Sequence, residues 1–208
     1  MTQDKRNQDT EAAILFAAER EFLTKGFAGA RTTSIAEAAG VTHAMLHYYF
    51  RTKEKLFDRI IGEKVALVKE AIQQSICDAE MTFEEKIRTI IERHLEFVSA
   101  NPDLPRFLVG EVFCSPDRTA VLLDKIKVYA PAMLEALQKE IDEEVAKGRC
   151  RKVDAKMLII DITSLNIFAY MAYPLINAVL GNCMENADEF LCQRKKENFD
   201  TIMRKLKP

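Results

Sequence analysis

The sequence predicts an all-α protein of about nine helices, in which three short helices precede six that are mostly longer. No segment alternates apolar and polar residues with the period of two that a half-buried strand requires. Helix start signals recur instead. Thr82 and Asn186 each stand three residues before a glutamate, as in a capping box, and Asn101 and Ser115 each precede a proline. We therefore expect helices over residues 10–25, 32–39, 43–49, 53–79, 82–100, 102–113, 117–147, 154–180 and 187–206.

The composition is that of a folded protein. Of 208 residues, 48% are hydrophobic and 30% are charged, which is enough apolar surface for a core. Seven glycines and six prolines, without a Gly/Ser/Pro tract, leave little room for a flexible linker. Because the net charge is −2, any basic surface for nucleic acid has to be local.

The cysteines predict reduced thiols in a cytoplasm. There are five of them, widely spaced and without a C-x-x-C pair, which favours neither a disulfide framework nor a zinc site, although a redox switch stays open. The polar first residues lack the apolar region of a signal peptide. His94 has no second ligand at metal-binding spacing, so we expect a hydrogen-bonded helix residue, and we predict no metal site and no cofactor.

Residues 162–184 contain no charge and are long enough to span a bilayer. They include Asn166, Pro174, Asn177 and Asn182, and no cluster of cations or tryptophans marks their ends. A buried or interface helix is therefore expected here, with no membrane as partner.

The most informative segment runs from Thr32 to Lys55. Gly40 follows a short helical pattern at the place where a left-handed residue ends a helix, and Thr42 can cap the next helix. In that next helix Leu46, Tyr49 and Phe50 have the spacing of a core-facing stripe. The segment is thus predicted to form a helix-turn-helix.

The opposite face of the second of these helices carries His43, Ala44, His47 and Tyr48. An exposed His, His, Tyr surface on so short a helix suits contacts with base edges in the major groove of DNA. The net charge over residues 40–55 is only +2, so the pattern carries this prediction and the charge merely agrees with it.

From Thr10 to Ile61 the sequence resembles the tetracycline-repressor (TetR) family of bacterial regulators. The resemblance rests on residue types in register: Gly26-Phe27, Thr32-Thr33-x-Ile35-Ala36, Ala39-Gly40-Val41-Thr42, Leu46-x-Tyr48-Tyr49-Phe50 and Lys53-Glu54-x-Leu56. The remaining three quarters of the chain resembles the family only in the number and layout of its helices.

The resemblance implies a set of DNA contacts: phosphates at the start of the second and fourth helices, base edges along the recognition helix, and the backbone beside it. The expected residues are Arg31, Thr32, Thr33, Thr42, His43, Ala44, His47, Tyr48, Tyr49 and Lys53. The family commonly has Tyr where this chain has His47. The imidazole can still donate or accept a hydrogen bond, and an operator affinity that weakens as pH rises stays open.

The resemblance also divides the chain into a DNA-binding domain over residues 1–55 and a ligand-binding and dimerisation domain over residues 56–208, joined by the helix over 53–79. Because one helix-turn-helix contacts too little DNA to be selective, we expect a homodimer. The helices over 154–180 and 187–206 are the expected interface, since the first is apolar on nearly every side and the second offers Phe190, Leu191, Phe199, Ile202, Met203 and Leu206.

The effector pocket is expected near two interior prolines, Pro131 and Pro174, each predicted to kink a long helix. Aromatic and polar residues lie beside them, and no cationic cluster lies on an apolar face, so the expected effector is mainly apolar or aromatic. The same residues could simply fill core and interface. The candidates are Phe113, Tyr129, Met133, Asn166, Tyr170 and Tyr173.

The expected function is that of a sequence-specific repressor released from operator DNA by a small molecule. An activator, or a helical interaction module that does not bind DNA, are the alternatives. An enzyme is not expected, because the sequence has no Gly-rich phosphate loop, no H-E-x-x-H, no G-x-S-x-G and no catalytic acid–base set.

Overall fold

The computed structural model describes residues 3–78, 80–181 and 184–208, with the backbone alone for 3–6, 71, 74 and 77. Every regular element within these residues is helical, which confirms the predicted all-α class. The helices are α1 (Gln3–Gly29), α2 (Thr32–Ala38), α3 (His43–Tyr49), α4 (Lys53–Cys77), α5 (Phe83–Ala100), α6 (Leu104–Phe107), a π-helical segment (Leu108–Val112), α7 (Pro116–Lys127), α8 (Ala130–Ala146), α9 (Ala155–Met171), α10 (Tyr173–Leu180) and α11 (Ala187–Leu206).

The prediction of about nine helices was too low for the described part of the chain, because two predicted long helices are each divided in two. Pro131 and Pro174 lie in the first turns of α8 and α10 instead of kinking a continuous helix. A proline has no N–H to donate and fits a first turn, where that donor has no partner within the helix. The bend between α9 and α10 is 70°.

Three other boundaries differ from the prediction. Helix α1 begins earlier and ends later than residues 10–25, and it is broken at Gly26. The predicted helix over 102–113 is a single α-helical turn followed by the π-helical segment, and Asn101 ends α5 instead of capping α6. The predicted end of the fourth helix at residue 79 lies outside the described residues, as do Asn182 and Cys183 and the side chain of Cys77.

The predicted caps are confirmed where local chemistry sets them. The Thr82 hydroxyl accepts from the Glu85 amide at 3.3 Å, and the Glu85 carboxylate accepts from the Thr82 amide at 2.8 Å, which completes the capping box. The predicted cap Asn186 also caps α11, and Asp154 caps α9 in addition. Side-chain oxygens thus satisfy main-chain donors that have no partner within the helix.

The chain divides into two compact units, Met1–Ala66 with Phe107–Lys125, and Leu67–Arg106 with Ile126–Pro208. We call them unit 1 and unit 2. The core of unit 1 contains Phe22 in contact with Phe27 and Phe57, whose ring in turn contacts Phe107. In unit 2, α5 packs against α9 and α11. The predicted functional boundary at residue 55 stays a prediction.

A chain of buried polar side chains joins three helices of unit 2. Asn166 of α9 is fully buried, and its amide nitrogen lies 3.0 Å from both the Ile91 carbonyl oxygen and Nδ1 of His94. Asn198 of α11 donates to the Asn166 amide oxygen at 2.7 Å. Because the Asn166 nitrogen only donates, Nδ1 of His94 has to accept, and the ring is neutral with its proton on Nε2.

Burial lowers the pKa of His94 from 6.5 to about 4. The isolated histidine is therefore the hydrogen-bonded helix residue that the sequence predicts. Protonation would place an N–H on Nδ1 against the N–H of Asn166 and would leave a charge in the core.

This pKa makes the free energy of unfolding depend on pH in a defined window. Between pH 6.5 and pH 4 the unfolded chain binds the His94 proton and the folded chain does not, so stability falls as pH falls. The loss amounts to about 3 kcal/mol by pH 4. We expect urea unfolding to show this fall in the parent protein and not in His94→Gln, whose amide oxygen can still accept from Asn166. Parallel pH curves for the two proteins would contradict it.

Candidate nucleic-acid interface and effector cavity

Helices α2 and α3 are held at a fixed angle by main-chain geometry and one side-chain cap. Gly40 has a φ of 67°, the left-handed conformation that ends α2, and the Val41 amide donates to the Ala36 carbonyl at 3.0 Å. The Thr42 hydroxyl accepts from the Met45 amide at 3.2 Å and caps α3. The predicted helix-turn-helix is therefore present, and Thr42 acts in it as a cap.

The two faces of α3 are as the sequence predicts, except at Tyr49. Leu46 is fully buried and Phe50 is buried. The opposite face exposes four side chains, and Tyr48 is 82% exposed. Tyr49 lies between the faces, half-buried, and its hydroxyl donates to Oδ1 of Asn7 in α1 at 3.1 Å. The exposed side chains are those of His43, Ala44, His47 and Tyr48.

A hydrogen bond connects the first residues of the two helices. Oγ1 of Thr32 lies 3.0 Å from Nε2 of His43, and the His43 ring meets the His47 ring edge to face at 5.0 Å. Arg31 and Thr33 are exposed beside this pair. Three of the predicted DNA contacts, Thr32, His43 and His47, thus lie together, and Arg31, Thr33 and Ala44 are exposed next to them in the sequence.

Lys53, which was predicted to contact a phosphate, also makes contacts within the chain. Its ammonium donates to the carbonyls of Phe27 at 2.8 Å and Ala30 at 3.2 Å, and lies 4.6 Å from the centre of the Phe27 ring. One N–H is left over, because an ammonium has three. Sequence reasoning missed this contact, since nothing local to Lys53 indicates a partner 26 residues away.

The six candidate effector residues do not form one group. Tyr170 and Tyr173 line the same cavity in unit 2, with a volume of about 200 Å³. Asn166 belongs to the buried polar chain, and Phe113 lies in unit 1. Lys69 lies over the Tyr129 ring, and Met133 packs on the core of unit 2. The other residues around the cavity are Ser99, Pro102, Arg106, Met184, Ala187 and Phe190.

Comparisons with known proteins agree with this architecture. Residues 14–60, from α1 into α4, match the model of "Bacterial regulatory proteins, tetR family". The chain is 28% identical over 211 residues to the HTH-type transcriptional regulator RutR of Escherichia coli, covering 97% of this chain and 93% of RutR. It is 24% identical to the nucleoid occlusion factor SlmA of Haemophilus influenzae, covering 74% and 69%. The structure of FadR from Bacillus subtilis, in complex with stearoyl-CoA, aligns with a TM-score of 0.70 at 17% identity, covering 94% and 98%.

Residues 14–60 belong to the TetR family of bacterial regulatory proteins. The chain is therefore a DNA-binding transcriptional regulator, and the helix-turn-helix of α2 and α3 is its DNA-binding element. The segment singled out in the sequence lies inside the matched residues 14–60.

The surface predicted for dimerisation of this regulator needs one correction. Four of the six apolar residues named on α11 are buried within unit 2 itself, where they pack on α5 and α9. Arg194 and Lys195 are likewise engaged inside the chain, with the Leu165 carbonyl and Glu96. The buried four are Phe199, Ile202, Met203 and Leu206.

Helix α9 instead exposes apolar side chains on its outer face: Met157, Ile160 and Phe168. Over the described residues no single helix is both long and apolar enough to cross a membrane, and only the bent pair Ala155–Met171 and Tyr173–Leu180 meets that test when the two are taken together.

Because Lys53 donates to two carbonyls, we expect its replacement to destabilise the protein. We expect Lys53→Met to lower the free energy of unfolding by about 1–3 kcal/mol, because two partly buried carbonyls lose a charged donor. Lys55→Met is the matched control, since Lys55 is exposed and two residues away. Chemical denaturation of both variants measures the difference, and equal stability would show that the Lys53 contacts contribute nothing.

Proposed function

We propose that the protein is a homodimeric repressor that binds operator DNA through α2 and α3 and is released by a mainly apolar or aromatic effector. The DNA-binding function is assigned to residues 1–55 and the effector and dimer functions to residues 56–208, and the protein acts in the cytoplasm. The observation that carries this proposal is the exposed face of α3 on an intact helix-turn-helix.

The chemistry of that face supports recognition of DNA. His43, Ala44 and His47 are proposed to meet base edges, and Tyr48 and Tyr49 the backbone. The described part of α3 contains no acidic residue that would repel phosphate. Arg31, Thr32 and Thr33, together with the spare N–H of Lys53, are proposed to contact phosphates, which fix the register of the protein on the duplex.

Two copies are needed to place two recognition helices one duplex turn apart, about 34 Å. The exposed apolar residues on α9 and α10 support a symmetric interface there, because scattered apolar residues need no partner but a contiguous apolar helix face does. Those on α10 are Leu175, Val179 and Leu180. The polar outer side of α11 is proposed to complete the interface.

Selection from a pool of random duplexes tests DNA binding and dimerisation together. We expect the protein to enrich an inverted repeat with half-sites one helical turn apart. His47→Ala is expected to bind the selected duplex roughly tenfold more weakly and to relax the sequence preference at one position of each half-site. Phe168→Asp is expected to give a monomer in light scattering that no longer selects a repeat.

Lys139→Ala is the control, because Lys139 is an exposed cation of α8 outside the proposed contacts. It is expected to bind the duplex as the parent does. Enrichment of no common sequence by the parent protein would end the proposal of a sequence-specific regulator, and an unchanged preference in His47→Ala would remove the base-reading role of that residue.

The cavity around Tyr170 and Tyr173 supports the effector part of the proposal. Its wall combines three aromatic rings with a methionine, which suits an apolar or aromatic ligand. Arg106, the one cation among the described wall residues, is already paired with Asp103. A volume of about 200 Å³ limits the ligand to a small ring compound or to part of a larger molecule. The FadR structure, which holds stearoyl-CoA, shares the fold.

Thermal unfolding with benzoate, phenol and indole, against butyrate as a chain compound, tests the cavity. We expect at least one ring compound to raise the unfolding temperature and to weaken operator binding about 5- to 150-fold. Ala187→Trp, which fills the cavity, is expected to abolish both effects, whereas Ala146→Trp at the exposed end of α8 is not. A response that survives in Ala187→Trp would place the effector elsewhere.

A further inference from the structure

Helix α1 is broken one turn before it ends. Gly26 has φ 69° and ψ 170°, so the helical hydrogen-bond pattern stops there, and the chain makes one more turn before α2. We call residues 26–30 the exit turn. The Ala30 amide closes it by donating to the Gly26 carbonyl at 3.2 Å. The exit turn is joined to α2 by Arg31 alone, so its position sets where the helix-turn-helix begins.

A carboxylate from far along the chain caps the exit turn. Oε2 of Glu111 accepts from the Phe27 amide at 3.1 Å, although the two residues are 84 positions apart. The same carboxylate covers Gly26 so closely that a Cβ there would lie 2.5 Å from Oε1. The break in α1 and the glutamate therefore fit each other: the left-handed glycine exposes an N–H and leaves room, and Glu111 occupies that room.

Arg118 holds Glu111 in this position. Its Nε donates to the Glu111 carbonyl at 2.6 Å, and its guanidinium lies 3.8 Å from Oε2 and 4.9 Å from the centre of the Phe27 ring. Glu111 itself lies in the π-helical segment, where the Phe113 amide donates to the Leu108 carbonyl at 2.9 Å. Short π-helical turns are rare and are frequently found at functional sites.

The segment that carries Glu111 and Arg118 connects two stretches of unit 2. The chain leaves unit 2 after Arg106, runs through unit 1 as residues 107–125, and returns to unit 2 at Ile126. Both ends of the segment that carries Glu111 and Arg118 are thus covalently attached to the unit that contains the proposed effector cavity. Arg106, a wall residue of that cavity, directly precedes the segment.

We infer that Glu111 is the positioning residue that ties the helix-turn-helix to the segment 107–125. Its carboxylate caps the exit turn of α1, and withdrawal of the segment removes that cap and frees the start of α2. This inference rests on the proposed DNA-binding function. Glu111 makes no contact with DNA in this inference. Its effect depends on a side chain long enough to accept from the Phe27 amide and not on its negative charge.

Two variants separate reach from charge. Glu111→Gln keeps the length and an oxygen that accepts from the Phe27 amide but loses the charge. Glu111→Asp keeps the charge and is one methylene too short. We expect the Asp variant to exchange the Phe27 amide hydrogen roughly tenfold faster and to bind the selected duplex roughly tenfold more weakly, whereas the Gln variant stays within about twofold of the parent. If Glu111 acted only through its charge, the Gln variant would change the affinity for the duplex and the Asp variant would not, since only the Gln variant removes a charge that repels DNA.

Two controls accompany the pair. Asp124→Asn removes an exposed charge from the same segment and is expected to change neither measurement. Ile76→Val, a buried change in unit 2 that costs about 1 kcal/mol, shows how far simple destabilisation alters affinity, and we expect no alteration.

The inference is overturned if the Asp variant matches the parent in amide exchange, if the Gln variant is as impaired as the Asp variant, or if exchange rises without a loss of affinity. Amide exchange at Phe27 needs no DNA. A parent protein that selects no duplex therefore refutes the proposed function, while the exchange comparison still decides whether Glu111 caps the exit turn.

Discussion

A helix broken near its end leaves main-chain donors and acceptors without partners inside the helix, and buried groups of that kind have to be satisfied from elsewhere. At the exit turn of α1 this requirement is met by charged side chains. Glu111 accepts from the Phe27 amide, Lys53 donates to the carbonyls of Phe27 and Ala30, and Glu21 accepts from the Arg31 amide at 3.3 Å. The Lys25 hydrogen bond helps hold the pKa of Glu21 below its usual value, which keeps that acceptor charged. The start of α2, and with it the outward surface of the helix-turn-helix, depends on these three side chains.

Unit 2 is specified by a different device. Its core is mostly aliphatic, and aliphatic side chains alone permit helices to slide by a turn. The buried amides of Asn166 and Asn198, with the neutral ring of His94, fix α5, α9 and α11 in one register, because each polar atom would lose its partner if a helix moved. A hydrogen-bonded polar chain therefore gives this otherwise apolar bundle a single arrangement.

The parts of the fold that sequence reasoning predicted are those decided by neighbouring residues. Gly40 and Thr42 determine the turn and cap of the helix-turn-helix within a few positions, and Thr82 does the same for α5. Pro131 and Pro174 were recognised as interruptions, but whether a proline kinks a helix or starts a new one depends on the packing of both flanks. The roles of Lys53 and Glu111 depend on partners 26 and 84 residues away, for which no local pattern exists. Asn166 was predicted to line the effector pocket with Tyr170 and Tyr173, yet it is buried where α9 packs against α5 and α11.

The course of residues 107–125 through unit 1 has a practical consequence for engineering. In a chimera of two such regulators, the DNA-binding domain of one protein is joined to the ligand-binding domain of another within α4. A DNA-binding domain taken from this chain up to a junction in α4 would contain Gly26 and Lys53. It would lack Glu111 and Arg118, which follow α4 in the sequence. The transplanted DNA-binding domain would then meet whatever residues the new protein has in place of Glu111 and Arg118. A functional chimera therefore has to include residues 107–125 as a second, discontinuous segment.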